Sequence, residues 1–335
     1  MVLKRLTLLN LGNCKSLRRL PSKFEMESLE ILILSGCSKI KRIPEFMGNM
    51  KRLLKLHLEE TAITKLPSSI EHLTNLDSLH LRDCKNLMCL PSIICSFKSL
   101  KDINLFGCSK LDGLPEMLWN VESLEKLNVG EINLRMPSVV MLENLKELSL
   151  WGCKGPLHKL RNNLFPLNLM PRSLNPVSLV LPSFLRMPSL IKLDLSNCNI
   201  QTIPDDIGNL SSLTKLYLGG NHFSCLPDSI VQLSKLLEIN LCNCTRLRSL
   251  PQLPSRINWV KACDCASLEA FPIAKDFVDC QDYHKTHFHF FNCFKLADNQ
   301  GGSDMFLMRM ILTFHQVSLS LSLSLFIYIY IYICY

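Results

Sequence analysis

The residues best equipped for chemistry sit close to the C-terminal end: His284, His287, His289 and Cys293, with Cys280 upstream. Imidazole and thiolate are the usual ligands of structural zinc, but such a site needs four converging ligands, commonly paired through tight turns. His287 and His289 share one face of an extended segment by alternation, and that pairing alone does not make a zinc site. Cys-x-Cys pairs stand at Cys242/Cys244 and Cys263/Cys265, where metal binding is equally unexpected. Asp205-Asp206 and Glu59-Glu60 are paired acids that a solvated surface explains. The chain contains no Gly-x-Ser-x-Gly elbow, no His-Glu-x-x-His and no Gly-x-x-x-x-Gly-Lys-Ser/Thr phosphate loop. No catalytic residue, no metal site and no cofactor is expected.

The cysteines lead from chemistry to architecture. There are sixteen, a number that in a small secreted protein would suggest disulfides. Eight of them (Cys14, Cys37, Cys84, Cys108, Cys153, Cys198, Cys244, Cys265) instead recur at one place in a repeated phrase, Leu-x-x-Leu-x-Leu-x-x-Cys, followed by an apolar residue and Leu-Pro or Ile-Pro. It reads Leu29, Leu32, Leu34, Cys37, Ile40, Ile43, Pro44, and again Leu76, Leu79, Leu81, Cys84, Leu87, Leu90, Pro91. Repeats begin at 6, 29, 53, 76, 100, 124, 145, 190, 213, 236 and 257, mostly 23 or 24 residues apart. That period is the one of leucine-rich repeats.

One such repeat buries too little apolar surface to fold alone and is stable only when stacked on its neighbours. The reading is an α/β solenoid: a leucine-rich-repeat horseshoe with a parallel concave sheet of about eleven strands and an irregular convex side. At about 4.8 Å per strand the sheet is roughly 50 Å long. The repeat leucines point inward and the intervening residues outward. The slot cysteines are expected to be buried thiols bonded to neighbouring loop backbone, which suits a reducing compartment. Leu-Pro steps such as Leu66-Pro67 and Leu226-Pro227 hold the return path out of strand conformation.

Composition agrees. Hydrophobic residues make up 47% of the 335 and aromatics only 7%, so leucine carries the packing. The net charge of +8 is spread through many repeats, which fits a solvated basic surface better than nucleic-acid binding, since no recognition motif accompanies it. The first eleven residues lack the long apolar stretch and cleavage site of a secretory signal. The expected location is cytoplasmic or nuclear.

Breaks in the pattern set the domain boundaries. Leucine-rich repeats fill 1–153 and 188–272. Between them, 154–187 is Pro-rich, and an irregular repeat around Leu174, Val177 and Leu179 is expected to bridge the 45-residue step. Residues 273–304 are aromatic and His-rich. From 305 to 335 the chain is a low-complexity hydrophobic tail, with Ser-Leu four times and then Ile-Tyr three times. Repetitive DNA would translate into such a tail. Its last 19 residues carry no charge and are long enough to span a bilayer, yet strict alternation favours a strand or an aggregating segment, and no membrane role is expected.

Phrases such as LEILILSGCSKIKRIPE, LTKLYLGGNHFSCLPDSI and LCNCTRLRSLPQLPSRI resemble the repeat region of plant TIR-type nucleotide-binding leucine-rich-repeat disease-resistance proteins. FHFFNCFKLAD resembles the opening of the β-sandwich domain that follows the repeats in that family, so 273–304 is read as its truncated start. The resemblance covers roughly 1–298 and implies a non-catalytic recognition and autoinhibition module. Such a module binds a pathogen effector or host protein and adjoins nucleotide-binding and TIR domains. Neither domain is visible in this sequence, which therefore reads as a fragment. A stand-alone scaffold or decoy binding a host protein without a nucleotide switch is the alternative. A substrate-recognition arm of a ubiquitin ligase would need an F-box-like segment that the sequence lacks.

Either way, the working surface is the concave sheet. Alternation directs His57, Glu59, His80, Arg82, Asn104, Phe106, Glu147, Trp151, Lys192, Asp194, Tyr217, Trp259 and Lys261 onto it. Exposed aromatics and arginine are the usual anchors of protein interfaces, and these thirteen are the candidate partner-binding residues.

Overall fold

A three-residue strand has too few hydrogen bonds to persist alone, so each strand here depends on neighbours supplied by the turns before and after it. The computed structural model describes residues 5–47, 50–134, 136–137, 140–155, 179, 181, 187–271 and 287–298. Its strands are β1 (Leu8–Asn10), β2 (Lys23–Phe24), β3 (Ile31–Ile33), β4 (Glu45–Phe46), β5 (Lys55–His57), β6 (Ser78–His80) and β7 (Asp102–Asn104). They continue with β8 (Lys126–Asn128), β9 (Glu147–Ser149), β10 (Lys192–Asp194), β11 (Lys215–Tyr217), β12 (Glu238–Asn240), β13 (Trp259–Lys261) and β14 (His287–His289). All but β2 and β4 form one parallel sheet in chain order.

The register is the one alternation gives. Leu32 faces Leu56, Leu56 faces Leu79, Leu193 faces Leu216, and so along the sheet. From Leu32 to Val260 the middle residue of every concave strand is buried. Repeat leucines on either side, such as Leu29 and Leu34 or Leu213 and Leu218, are fully buried with it. The core is thus one continuous apolar column rather than a compact centre.

Where the chain leaves each strand it makes the same turn. The residue four past the strand centre has φ between 57° and 75° in all twelve turns, from Asn13 through Gly36, Asp83 and Gly220 to Asn292. Left-handed backbone is costly for most residues and cheap for Gly, Asn and Asp, and ten of the twelve are of those types; Glu60 and Glu131 are the exceptions. The next residue is the cysteine slot. Cys37 Sγ donates to the Leu11 carbonyl at 3.0 Å, Cys84 to Leu58 at 3.1 Å, Cys108 to Leu81 at 3.1 Å and Cys153 to Val129 at 3.0 Å. Cys244 and Cys265 repeat the bond to Leu218 and Leu241. In the β11 turn Asn221 fills the slot fully buried: it donates to the Leu195 and Leu218 carbonyls and accepts from the amides of Cys198 and Ile200. Burial pushes the Cys108 and Cys153 thiols up to about 12.

On the convex side, five single 3-10 turns start directly after Pro67, Pro91, Pro115, Pro204 and Pro227. Proline lacks the N–H that a helix start would leave unpaired, and its fixed φ suits the entry. Its carbonyl then accepts the first bond of the turn, as from Ile70 to Pro67 at 3.2 Å.

The structure adds detail to these expectations. The sheet of about eleven strands counts twelve among the described residues, because β14 pairs in parallel with β13, Trp259 opposite His287. Of 273–304, the described residues are β14 and a short helix α1 (Phe294–Asp298) with the turn between them, so the solenoid runs one turn past 272. Cys293 is the slot residue of that turn, its Sγ on the Ala262 carbonyl at 2.9 Å. Next, β9 and β10 pair directly, Leu148 opposite Leu193. Cys198 also bonds across to Leu150 at 2.9 Å. Leu179 of the 154–187 segment is buried, while Leu174 and Val177 lie outside the described residues. Finally, Cys14, expected to be buried with the other slot thiols, is exposed. The tail at 305–335 also lies outside the described residues.

Candidate functional site

Each concave strand presents two outward residues, and the residue after them, three past the strand centre, extends the same face. These positions form three rows running along the sheet, one strand apart. Side chains from successive turns therefore meet as cross-strand pairs, and three groups of contacts result.

The first group surrounds Glu59. His57 Nδ1 lies 3.2 Å and His80 Nδ1 3.3 Å from Glu59 Oε1, while Ser35 Oγ donates to Glu59 Oε2. His80 Nε2 faces Asp102 Oδ2 at 3.3 Å. The two imidazoles meet edge to face, 4.6 Å between centroids. Burial works against the Glu59 charge, but hydrogen bonds from His57, His80 and Ser35 outweigh it and hold the carboxyl well below the usual range. Asp102, then Glu59, push His80 up to about 9 despite its burial.

The second group is aromatic. Arg82 stacks its guanidinium over Phe106, 5.3 Å from the ring centroid, and Phe106 leans on Trp151 at 5.8 Å. Phe106 and Trp151 come from β7 and β9 turns, two strands apart. They meet because Gly130 occupies the same row between them. A Cβ there would stand 2.7 Å from Phe106 Cδ2 and 2.9 Å from the Trp151 carbonyl. Around this pair lies a hollow of about 490 Å³. It is lined by His80, Arg82, Asn104, Phe106, Glu147, Trp151, Lys192 and Asp194, together with Asp102, Lys126 and Asn128.

The third group runs toward the C-terminal end. Lys192 sits over Tyr217 at 5.5 Å, and the Tyr217 hydroxyl donates to Glu238 Oε2 at 3.1 Å. Lys261 Nζ donates to Glu238 Oε1 at 2.9 Å and lies 5.6 Å from the Trp259 ring. Trp259 stacks on His287 at 4.1 Å. Burial, then the Glu238 charge, push the Tyr217 hydroxyl up to about 12.

Of the thirteen sequence-predicted residues, eight line the hollow, His57 and Glu59 join His80 beside it, and Tyr217, Trp259 and Lys261 form the separate third group. Two of the eight have a second task. Asn104 Oδ1 accepts from the Phe106 amide at 3.1 Å and Asp194 Oδ1 from the Ser196 amide at 3.0 Å. These bonds close the strand end and tie up one oxygen of each. Sequence reasoning missed Ser35, Asp102, Gly130 and Glu238. Gly130 was detectable as the glycine in the row that holds Arg82, Phe106 and Trp151. Glu238 was detectable as the acid beside Tyr217 and Lys261 on adjacent strands.

His287 and His289 do share the outward face, and both stack near Trp259. Cys293 is buried in its slot on the opposite side of the strand, so the two histidines and that thiol do not converge. His284 and Cys280 lie outside the described residues.

One parallel strand per turn, a buried thiol ladder and a concave face of mixed aromatic and charged side chains define a leucine-rich-repeat solenoid. A leucine-rich repeat region model matches residues 3–160 and a leucine rich repeat model matches residues 182–223. The chain is 38% identical over 262 residues to TMV resistance protein N of Nicotiana glutinosa, covering 77% of this chain and 21% of that protein. It is 39% identical over 274 residues to disease resistance protein RPP2B of Arabidopsis thaliana, covering 82% of this chain and 21% of that one. Among solved structures, a TDR receptor superposes with a TM-score of 0.56 at 20% identity, covering 82% of this chain and 50% of that receptor, which bears on the fold alone. The chain is a leucine-rich-repeat region homologous to those of plant TIR-type nucleotide-binding leucine-rich-repeat disease-resistance proteins, and it spans about a fifth of the length of the curated relatives it matches. Such regions are in general non-catalytic. Among the described residues no helix is long and apolar enough to cross a membrane.

Proposed function

We propose that this chain is the recognition and autoinhibition module of a plant intracellular immune receptor. It binds a pathogen effector or a host protein on its concave face and performs no catalysis itself. In the full receptor it adjoins nucleotide-binding and TIR domains, in the cytoplasm or nucleus, and partner contact releases the nucleotide switch. The observation that carries the reading is the hollow around Arg82, Phe106 and Trp151. There an arginine and two large aromatics stand on an open sheet, the residue types that dominate protein–protein binding energy. Homology to resistance proteins over most of the chain supports the biological setting.

The test places Trp151→Ala, Tyr217→Ala and Trp259→Ala singly in a full-length receptor carrying these repeats. Each is expected either to abolish the effector response or to release constitutive signalling, with protein levels unchanged. Normal recognition and normal autoinhibition in all three would overturn the concave-face assignment and move attention to the C-terminal end around β14.

A further inference from the structure

We propose that His57, Glu59 and His80 form a binding site for a divalent transition metal, zinc by ligand chemistry, with Asp102 and Ser35 as its supporting shell. Two imidazoles and one carboxylate are a known three-ligand set for zinc, with bonds of about 2.0–2.2 Å and a fourth position left open. Bonds of that length put tetrahedral ligand atoms about 3.3–3.4 Å apart. The two nitrogen-to-oxygen separations already stand at 3.2 Å and 3.3 Å. All three ligand atoms lie within 4.8 Å of one another, so a small rotation of the imidazoles closes the set.

The surroundings support the assignment independently. Metal-bound histidine usually gives its second ring nitrogen to a carboxylate, which fixes the tautomer and orients the ring. His80 Nε2 is shielded from solvent and makes no well-aligned hydrogen bond, and the carboxylate facing it at 3.3 Å is Asp102. The oxygen of Glu59 not facing the imidazoles is held by the Ser35 hydroxyl. Once the metal has displaced the imidazole protons from the ligating nitrogens, the two carboxylates balance a divalent cation. The ligands come from the ends of adjacent strands β5 and β6, whose register places His57 directly opposite His80. Their side chains keep about a fifth of their surface exposed on the concave side. The open position therefore faces solvent, where water or a partner's side chain completes the coordination.

The experiment titrates the full 335-residue chain, with its accessible thiols blocked by N-ethylmaleimide, with zinc chloride by calorimetry and with cobalt(II) by absorption spectroscopy. One zinc per chain is expected, with Kd on the order of 1 µM or tighter. The cobalt spectrum should show d–d bands without a thiolate charge-transfer band. His57→Gln, Glu59→Gln and His80→Gln should each weaken binding at least tenfold. Asp102→Asn, which leaves every ligand in place, should weaken it about 10- to 100-fold. Circular dichroism should show all four variants folded. Absence of zinc binding by the blocked chain, a thiolate band with cobalt, or unchanged affinity in folded His57→Gln and His80→Gln would each overturn the site.

Discussion

The interior of the coil and its concave face are built on the same twelve-turn spacing, and they use it in opposite ways. Inside, the same side chain returns to the same place. Leucine stands before and after most strands, a left-handed residue follows, and a thiol closes the turn in eight of the twelve with its proton on the previous turn's carbonyl. Outside, the row that holds Glu59, Arg82, Phe106, Gly130 and Trp151 never repeats a residue in five turns. Repetition inside follows from close packing, since each turn must fit the one before it. Variety outside is permitted because solvent accepts any side chain, and it is what lets one scaffold present a particular surface. Sequence identity along the core therefore reports fold, while the concave rows are free to differ from turn to turn.

The contrast is testable at neighbouring positions. Leu216 is fully buried and Tyr217, next to it, points outward. Leu216→Ala should cost about 2–5 kcal/mol by the cavity it leaves, measured by urea unfolding. Tyr217→Ala should cost under about 1 kcal/mol, the scale of a partly wet hydrogen bond and a surface contact. Equal losses at the two positions would break the division between inside and outside.

A somewhat smaller effect is expected at the turn itself. Gly220 has φ of 69°, and a Cβ there would stand 2.0 Å from Asn197 Oδ1. Gly220→Ala should therefore cost about 1–3 kcal/mol from strain in both backbone and neighbour, read as a lower urea midpoint. Gly130 lacks the positive φ but holds the two aromatics together. Gly130→Val should disturb the near-ultraviolet signal of Trp151 more than it disturbs stability.

The thiols sharpen the comparison further. Native protein at pH 9 should alkylate at the exposed Cys14, Cys89 and Cys225. Cys108 and Cys153, held near 12 by burial, remain protonated at that pH and should label only after unfolding. Mass spectrometry of tryptic peptides reads both sets at once. A disulfide between Cys37 and Cys84 would contradict the ladder outright. The smallest effects are expected from Trp151→Ala and Trp259→Ala, within about 1 kcal/mol of wild type in stability, with their consequence seen only in partner binding.

The repeat period, the inward leucines from Leu32 to Ile239, the slot cysteines and the outward direction of all thirteen surface residues were settled by the amino-acid order. A two-residue alternation inside a 23- or 24-residue period leaves one register that buries the repeat leucines from turn to turn. Tertiary structure decided what depends on which turn lies beside which. It placed β10 directly against β9, Leu193 opposite Leu148. It added β14 as a twelfth strand in text that resembled another domain, paired with β13 and carrying Cys293 in the thiol slot on the Ala262 carbonyl. It brought Phe106 to Trp151 across Gly130, and His57, Glu59 and His80 around one carboxylate oxygen. Those contacts join residues from different turns. Their distances are set by strand spacing and sheet curvature, which the sequence of any single repeat does not contain.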